Sequence, residues 1–234
     1  MLVDIGVNLT NSQFKADREA VIDRALAHEV TTLIVTGTSI ASSTEALAIA
    51  SERPGTLYAT AGVHPHDAKH FDETSSMSLR ALAGEPAVVA IGECGLDFNR
   101  DFSPRDAQRV CFERQVSLAS ELELPLFMHQ RDAHEAFIEI VAPRRNEFHH
   151  GVVHCFTGTG DELDAYIELD LHIGITGWIC DERRGFHLHE LIRRVPLNRL
   201  MLETDCPYLL PRNIRPRPRT RRNEPMYLPH IAAT

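Results

Sequence analysis

Eight short apolar runs recur along the chain, separated by longer amphipathic stretches: LVDIGV (2–7), TTLIVT (31–36), LYATAG (57–62), AVVAIG (87–92), LPLFMH (124–129), GVVHC (151–155), LHIGI (171–175) and RLMLET (199–204). Each is nearly continuous in apolar residues, the pattern of parallel strands buried on both faces. Helix starts lie between them. Ser103 followed by Pro104 predicts an N-cap with proline in the first turn, and Asp132 with Glu135 and Thr159 with Glu162 have capping-box spacing. Eight strands with seven intervening helices predict an α/β fold, a (β/α)8 TIM-type barrel, in one domain over residues 1–234. An open doubly wound sheet is the competing arrangement, because strand count alone does not establish closure. After the eighth strand the chain runs irregularly through CPYLLPRNIRPRPRTRRNEPMYLPH (206–230), so the eighth helix is expected to be missing or only begun.

The 234 residues are 43% hydrophobic and 24% charged, which excludes a disordered or collagen-like chain. No window is long and apolar enough to span a membrane, and the first residues lack the pattern of a signal peptide. The five cysteines (94, 111, 155, 180, 206) form no C-x-x-C pair, which suggests neither a disulfide framework nor a zinc knuckle; a reducing, cytoplasmic setting fits best. The net charge of −9 argues against a protein that coats duplex DNA, though not against an enzyme with a local basic patch. That charge is uneven, since residues 206–234 carry six arginines against one glutamate. Histidine is over-represented at 13 copies.

In a barrel of this kind the chemistry lies where strands end at the C-terminal face. Those positions hold His64 and His66, Glu93, His129, His154, and Glu203 with Asp205. Any one of them alone reads as a satisfied histidine or a capping acid. Glu93, His129, His154 and Asp205 from four different strands, however, converge on one point, and carboxylates with imidazoles hold divalent metals. Strand alternation then turns their successors Cys94, Cys155 and Cys206 toward the helix layer, leaving a cysteine nucleophile as the rival reading. Neither lysine (15 or 69) lies at a strand end, so a bridging ligand would have to be a carboxylate, with Glu93 the candidate.

The segments DIGVNLT (4–10), GVHPHD (62–67), AIGECGLDF (90–98), FMHQRDAH (127–134), VHCFTGT (153–159), GITGWICDERRG (174–185) and LMLETDCPYLLP (200–211) resemble the TatD family of metal-dependent deoxyribonucleases. The likeness runs over essentially the whole chain. It implies a metallo-dependent hydrolase-like barrel that hydrolyses DNA phosphodiester bonds, with 3′→5′ exonuclease action on single strands. By resemblance Glu93, His129, His154 and Asp205 are the metal residues, and His64 and Glu203 support catalysis. The cofactor implied is one or two divalent ions, magnesium first, with manganese or zinc as alternatives. Many members open with Asp-x-His-x-His where this chain has Gly6 and Asn8, which weakens one metal position. The family's final helix is also expected to be short here.

Glu203 lies two residues before Asp205, on the same face and one layer deeper; a base, a support for a metal ligand and a buried structural acid all remain open. The arginines at 212, 215, 217, 219, 221 and 222 follow the last strand and should flank the mouth, where Arg183 and Arg184 also lie. His66, Arg183, Arg184, Arg221 and Arg222 are the candidates for substrate contact, the substrate being DNA as a single strand or a 3′ end. A solvated loop or ion pairing with the acidic barrel is the alternative for the arginines. For the whole chain the alternatives are a small-molecule amidohydrolase or phosphoesterase and a non-catalytic binding protein on the same barrel.

Overall fold

The computed structural model describes the whole chain, residues 1–234. Eight strands pair in sequence order: β1 (Leu2–Val7), β2 (Val30–Val35), β3 (Leu57–Ala61), β4 (Val88–Asp97), β5 (Leu126–Arg131), β6 (Gly151–Val153), β7 (His172–Ile175) and β8 (Leu200–Leu202). All seven neighbouring pairs are parallel. β1 meets the end of β8 through a parallel bridge between Val7 and Cys206. Backbone bonds from Asp205 N to Gly6 O and from Asn8 N to Cys206 O, both 2.9 Å, reinforce it. Those contacts close the sheet at its C-terminal rim, and the open doubly wound arrangement is excluded.

The helices are α1 (Arg18–Ala27), α2 (Ile40–Glu52), α3 (Glu73–Ala83), α4 (Arg105–Leu122), α5 (His134–Val141), α6 (Gly160–Glu168), α7 (Leu188–Leu191) and α8 (Leu228–Ala232). The eighth is present, yet only five residues long, and it buries Leu228 and Ile231 in the main core. That core fills the layer between strands and helices, while Ile5, Ala90, Phe127 and Val152 pack inside the barrel as a separate cluster.

One of the three expected caps forms. Thr159 Oγ1 accepts from Glu162 N (3.3 Å) and Glu162 Oε2 from Thr159 N (2.7 Å), a complete capping box on α6. Ser103 instead donates to His66 O (2.7 Å) and accepts from Lys69 N (3.1 Å), tying two mouth loops together while Pro104 takes the N-cap position of α4. Asp132 accepts from Asn99 Nδ2 (2.7 Å) and likewise bridges loops, leaving α5 without a side-chain cap. In both cases a long-range partner displaces the local one.

β4 departs furthest from its expected span. It continues five residues past Gly92, paired with β5 as far as Asp97 opposite Arg131. The pairing shifts between Gly92 and Cys94, so Glu93 is the extra residue of a bulge. A bulge breaks alternation and re-aims one side chain. One strand thereby sends two acids, Glu93 and Asp97, into the mouth.

On β1, Asp4 is wholly buried and accepts from Thr204 N (2.9 Å) and Thr204 Oγ1 (2.6 Å). Burial pushes its carboxyl up to about 8, and the Thr204 bonds offset only part of that. The folded chain therefore keeps a proton on Asp4 that the unfolded chain releases above the ordinary value of 3.8. Stability from this group is complete below that value and is lost as pH rises through the folded value. Asp4→Asn should gain on the native chain between pH 4 and pH 8, by at most about 1.4 kcal/mol per pH unit. Urea denaturation across that range reads the difference; a gap independent of pH would contradict it.

Candidate metal centre

A cavity of about 690 Å³ opens at the C-terminal end of the barrel, lined by His64, His66, Glu93, His129, His154 and Asp205 among others. Glu93 is its organising group. Its Oε1 lies 2.8 Å from His154 Nε2, 3.0 Å from His129 Nδ1 and 3.2 Å from His64 Nε2. Each imidazole arrives from a different strand end, and His129 Nδ1 and His154 Nε2 also face each other at 3.3 Å. Ring nitrogens crowded on a carboxylate need a proton or a cation among them.

The protonation pattern follows from that crowding. Burial opposes charge on Glu93, yet the facing imidazoles of His154, His64 and His129 outweigh it and hold the carboxyl well below its usual range. His154 is raised well above an ordinary imidazole: burial resists, but Glu93 and Glu203 prevail. His129 is raised in the same way by Asp97 and Glu93, whereas burial wins at His64 and lowers it. The neighbouring carboxylates thus favour the charged form of His154 and His129, and burial disfavours it at His64.

Beneath this layer Glu203 is fully buried, with Oε2 at 3.3 Å from His154 Nδ1 and Oε1 accepting from Cys155 N. The room for it comes from two glycines. A Cβ on Gly6 would stand 2.5 Å from Glu203 Oε2, and one on Gly174 would stand 2.6 Å from Glu203 Oε1. At the position where the resembling family's opening motif would put its first histidine, Gly6 leaves space that the Glu203 carboxylate occupies. Asn8, the other departure, donates from Nδ2 to Asp205 Oδ1 at 2.9 Å. Burial and the charges of Glu93 and Glu203 push Asp205 up to about 7, against the pull of His154 and the Asn8 bond.

The donor set fits a divalent ion. Donor atoms of His64, Glu93 and His129 all lie within 4.8 Å of one another, and His154 presents its Nε2 to the same carboxylate oxygen. His129 Nε2 is buried with no hydrogen-bond partner, facing Asp97 Oδ2 at 3.7 Å. Imidazole ligands suit zinc and carboxylates suit magnesium and manganese, so the mixed set fits a divalent ion without selecting which.

Several functional candidates escaped the sequence reading. Asp97 accepts from His66 Nε2 (2.7 Å) and from the backbone of Asn99 and Arg100; its one signal was its place in the GLDF segment of a strand that runs on. Arg100, Arg131, Phe102, Trp178 and Tyr208 also line the cavity.

None of the candidate substrate-contact arginines lines the cavity itself, though Arg184 stands beside it on Trp178. Arg222 is bound to Asp17 and Glu224 and lies over the Phe14 ring, Arg221 is exposed and does not line the cavity, and Arg183 is exposed behind Asp181. Arg184 pairs with Asp181 (2.9 Å) and stacks on Trp178. Cys94 and Cys206 are buried in the core layer as expected. Cys155 instead lines the cavity, because its φ of 47° ends the strand alternation. Burial pushes all three thiols well above their usual value, so none offers a thiolate near neutral pH.

The TatD-related DNase family model matches residues 3–234. The chain is 53% identical over 230 residues to the 3′-5′ ssDNA/RNA exonuclease TatD of Rahnella sp. (strain Y9602), covering 98% of this chain and 88% of that protein. It is 53% identical over 231 residues to the protein of the same name from Edwardsiella piscicida, covering 99% and 89%. Among solved structures, YJJV, a TatD homologue from Escherichia coli K12, superposes with a TM-score of 0.88 at 28% identity, covering 99% of this chain and 88% of that one. Matched over nearly its whole length in both sequence and fold, the chain belongs to the TatD-related DNase family.

Proposed function

We propose that the protein is a metal-dependent exonuclease that removes nucleotides from the 3′ ends of single-stranded nucleic acid, DNA above all, in the cytoplasm. The observation that carries this reading is Glu93 ringed by three imidazoles on the floor of an open cavity, with Asp205 beside them and arginines on the wall. The activity named for the relatives supports it, and so do five free cysteines in the choice of a reducing compartment. No helix is long and apolar enough to cross a membrane.

Glu93, His129 and His154 would hold a divalent ion, with His64 within the same reach and Asp205 lining the same cavity; magnesium is the preferred ion. When bound, that ion supplies Lewis acidity and charge neutralisation to a phosphoryl group. The protein's own groups do the rest. Glu203 accepts from His154 Nδ1 and so directs Nε2 into the mouth. Asp205 has Oδ1 engaged by Asn8, which leaves Oδ2 free to orient an attacking water and take its proton. Arg100 and Arg131 line the wall where phosphate oxygens would lie. This wall arginine pair favours a phosphate-bearing substrate, and the activity named for the relatives favours a polymer over a small molecule.

Chelation with EDTA should abolish release of nucleotides from a single-stranded oligonucleotide, and added Mg²⁺ or Mn²⁺ should restore it. His154→Ala should lower kcat/KM about 100-fold or more. Undiminished hydrolysis by this variant would overturn the assigned site, and absence of hydrolysis with every metal would overturn the activity. Phosphate contact by the wall is read separately. With EDTA present, the double variant Arg100→Ala, Arg131→Ala should flatten the dependence of log Kd on log salt, by about 0.7 for each phosphate of a single strand that is no longer neutralised. An unchanged slope would remove both arginines from the binding mode.

A further inference from the structure

Three large aromatic rings stand more than half exposed in this protein, Phe102 at 57%, Phe186 at 71% and Tyr208 at 52%, and two of them line the mouth of the metal centre. Phe102 belongs to the loop between β4 and α4, and Tyr208 to the segment after β8. In an eight-stranded barrel with strands in sequence order, β4 and β8 stand diametrically opposite. The rings therefore wall the cavity from its two sides, with the Glu93 cluster on the floor between them.

Both are held in place, although neither is buried. The Phe102 ring packs on His66 at 4.7 Å between centroids, and its carbonyl accepts from Lys69 Nζ at 3.1 Å. Tyr208 N donates to Asp205 O at 3.0 Å, and Tyr208 Oη accepts from Asn11 Nδ2 at 3.2 Å. An apolar ring kept rigid in water forgoes the stabilisation that burial would bring, which points to a ligand with a flat apolar face. Nucleobases have such faces, and an unstacked single strand leaves them free for aromatic rings.

We infer that Phe102 and Tyr208 are stacking platforms for the unpaired bases on either side of the scissile phosphodiester. This rests on the nuclease reading and deepens it: the pair selects single strands by gripping bases, while the arginines grip only phosphates. Inside a duplex both faces of each base are already stacked and only the terminal pair keeps one free, so a duplex cannot offer a base to each ring. Trp178, already stacked with the Arg184 guanidinium 4.5 Å from its centroid, is left out of the pair.

The test is equilibrium binding by fluorescence anisotropy with EDTA present, so that nothing is hydrolysed. Two probes of equal length are compared, a thymidine oligonucleotide and the same backbone built wholly of abasic tetrahydrofuran units. The native protein should bind the thymidine strand at least about tenfold more tightly. Phe102→Ala and Tyr208→Ala should each weaken the thymidine strand about tenfold and leave the abasic strand within about twofold. Phe102→Trp and Tyr208→Phe, which keep a ring, should bind like the native chain. Equal binding of both probes by the native protein overturns the inference, with no variant needed. So does an equal loss on both probes in the alanine variants, which would mean that the rings only shape the mouth. Base-dependent binding without hydrolysis under any metal would retire the catalytic reading and sustain the stacking pair; hydrolysis with base-independent binding would do the reverse.

Discussion

A carboxylate withdrawn from water on the axis of a barrel must be met by donors or positive charge, and Glu93 is met by three imidazoles. Much of the surrounding structure serves that encounter. The bulge in β4 turns Glu93 inward, and Glu203 anchors His154 from below. Gly6 and Gly174 keep the axis open for Glu203, since a methyl group at either would collide with its carboxylate. Closure of β1 onto β8 brings Asn8 to Asp205 and sets that carboxylate beside the Glu93 cluster in the same cavity. An open sheet would hold the same residues in a row and could not make them face one another.

Charge in this protein is layered. Acids gather inside the mouth, where burial raises Asp205 while the imidazoles depress Glu93; Asp4, also raised by burial, lies apart from the cavity lining against Thr204. Arginines stand further out. The C-terminal arginines are partly consumed within the molecule, with Arg222 tied to α1 through Asp17 and Arg212 drawn to Asp181. Only six of the 33 acids are buried, so the balance of −9 describes mainly the outer surface and says little about what the rim of the mouth can hold.

How much of this was legible beforehand depended on how local each interaction is. The strands could be read because burial on both faces leaves a continuous apolar run, and the barrel then dictates which residues share the mouth. Glu93, His64, His129, His154 and Asp205 were found in that way, together with the family resemblance, and the structure brings them to one cavity. Asp97 was missed because a bulge hides the true length of β4. Cys155 was misplaced because alternation holds only while φ stays in the β region, and there it does not. Ser103 and Asp132 were read as caps from adjacent residues, but distant loops claim their oxygens. Arg222 was expected at the substrate and is held by Asp17, more than two hundred residues away in the chain, a pairing no local pattern encodes.

The most direct measurement is a calorimetric titration of the metal-free protein with Mn²⁺ and Mg²⁺, made in parallel on Glu93→Gln. The amide keeps the size of the side chain and removes the charge on which the imidazoles converge. The native chain should take up at least one ion, and the variant should bind it at least about tenfold more weakly. Equal uptake by the two would contradict the placing of Glu93 at the centre of the site.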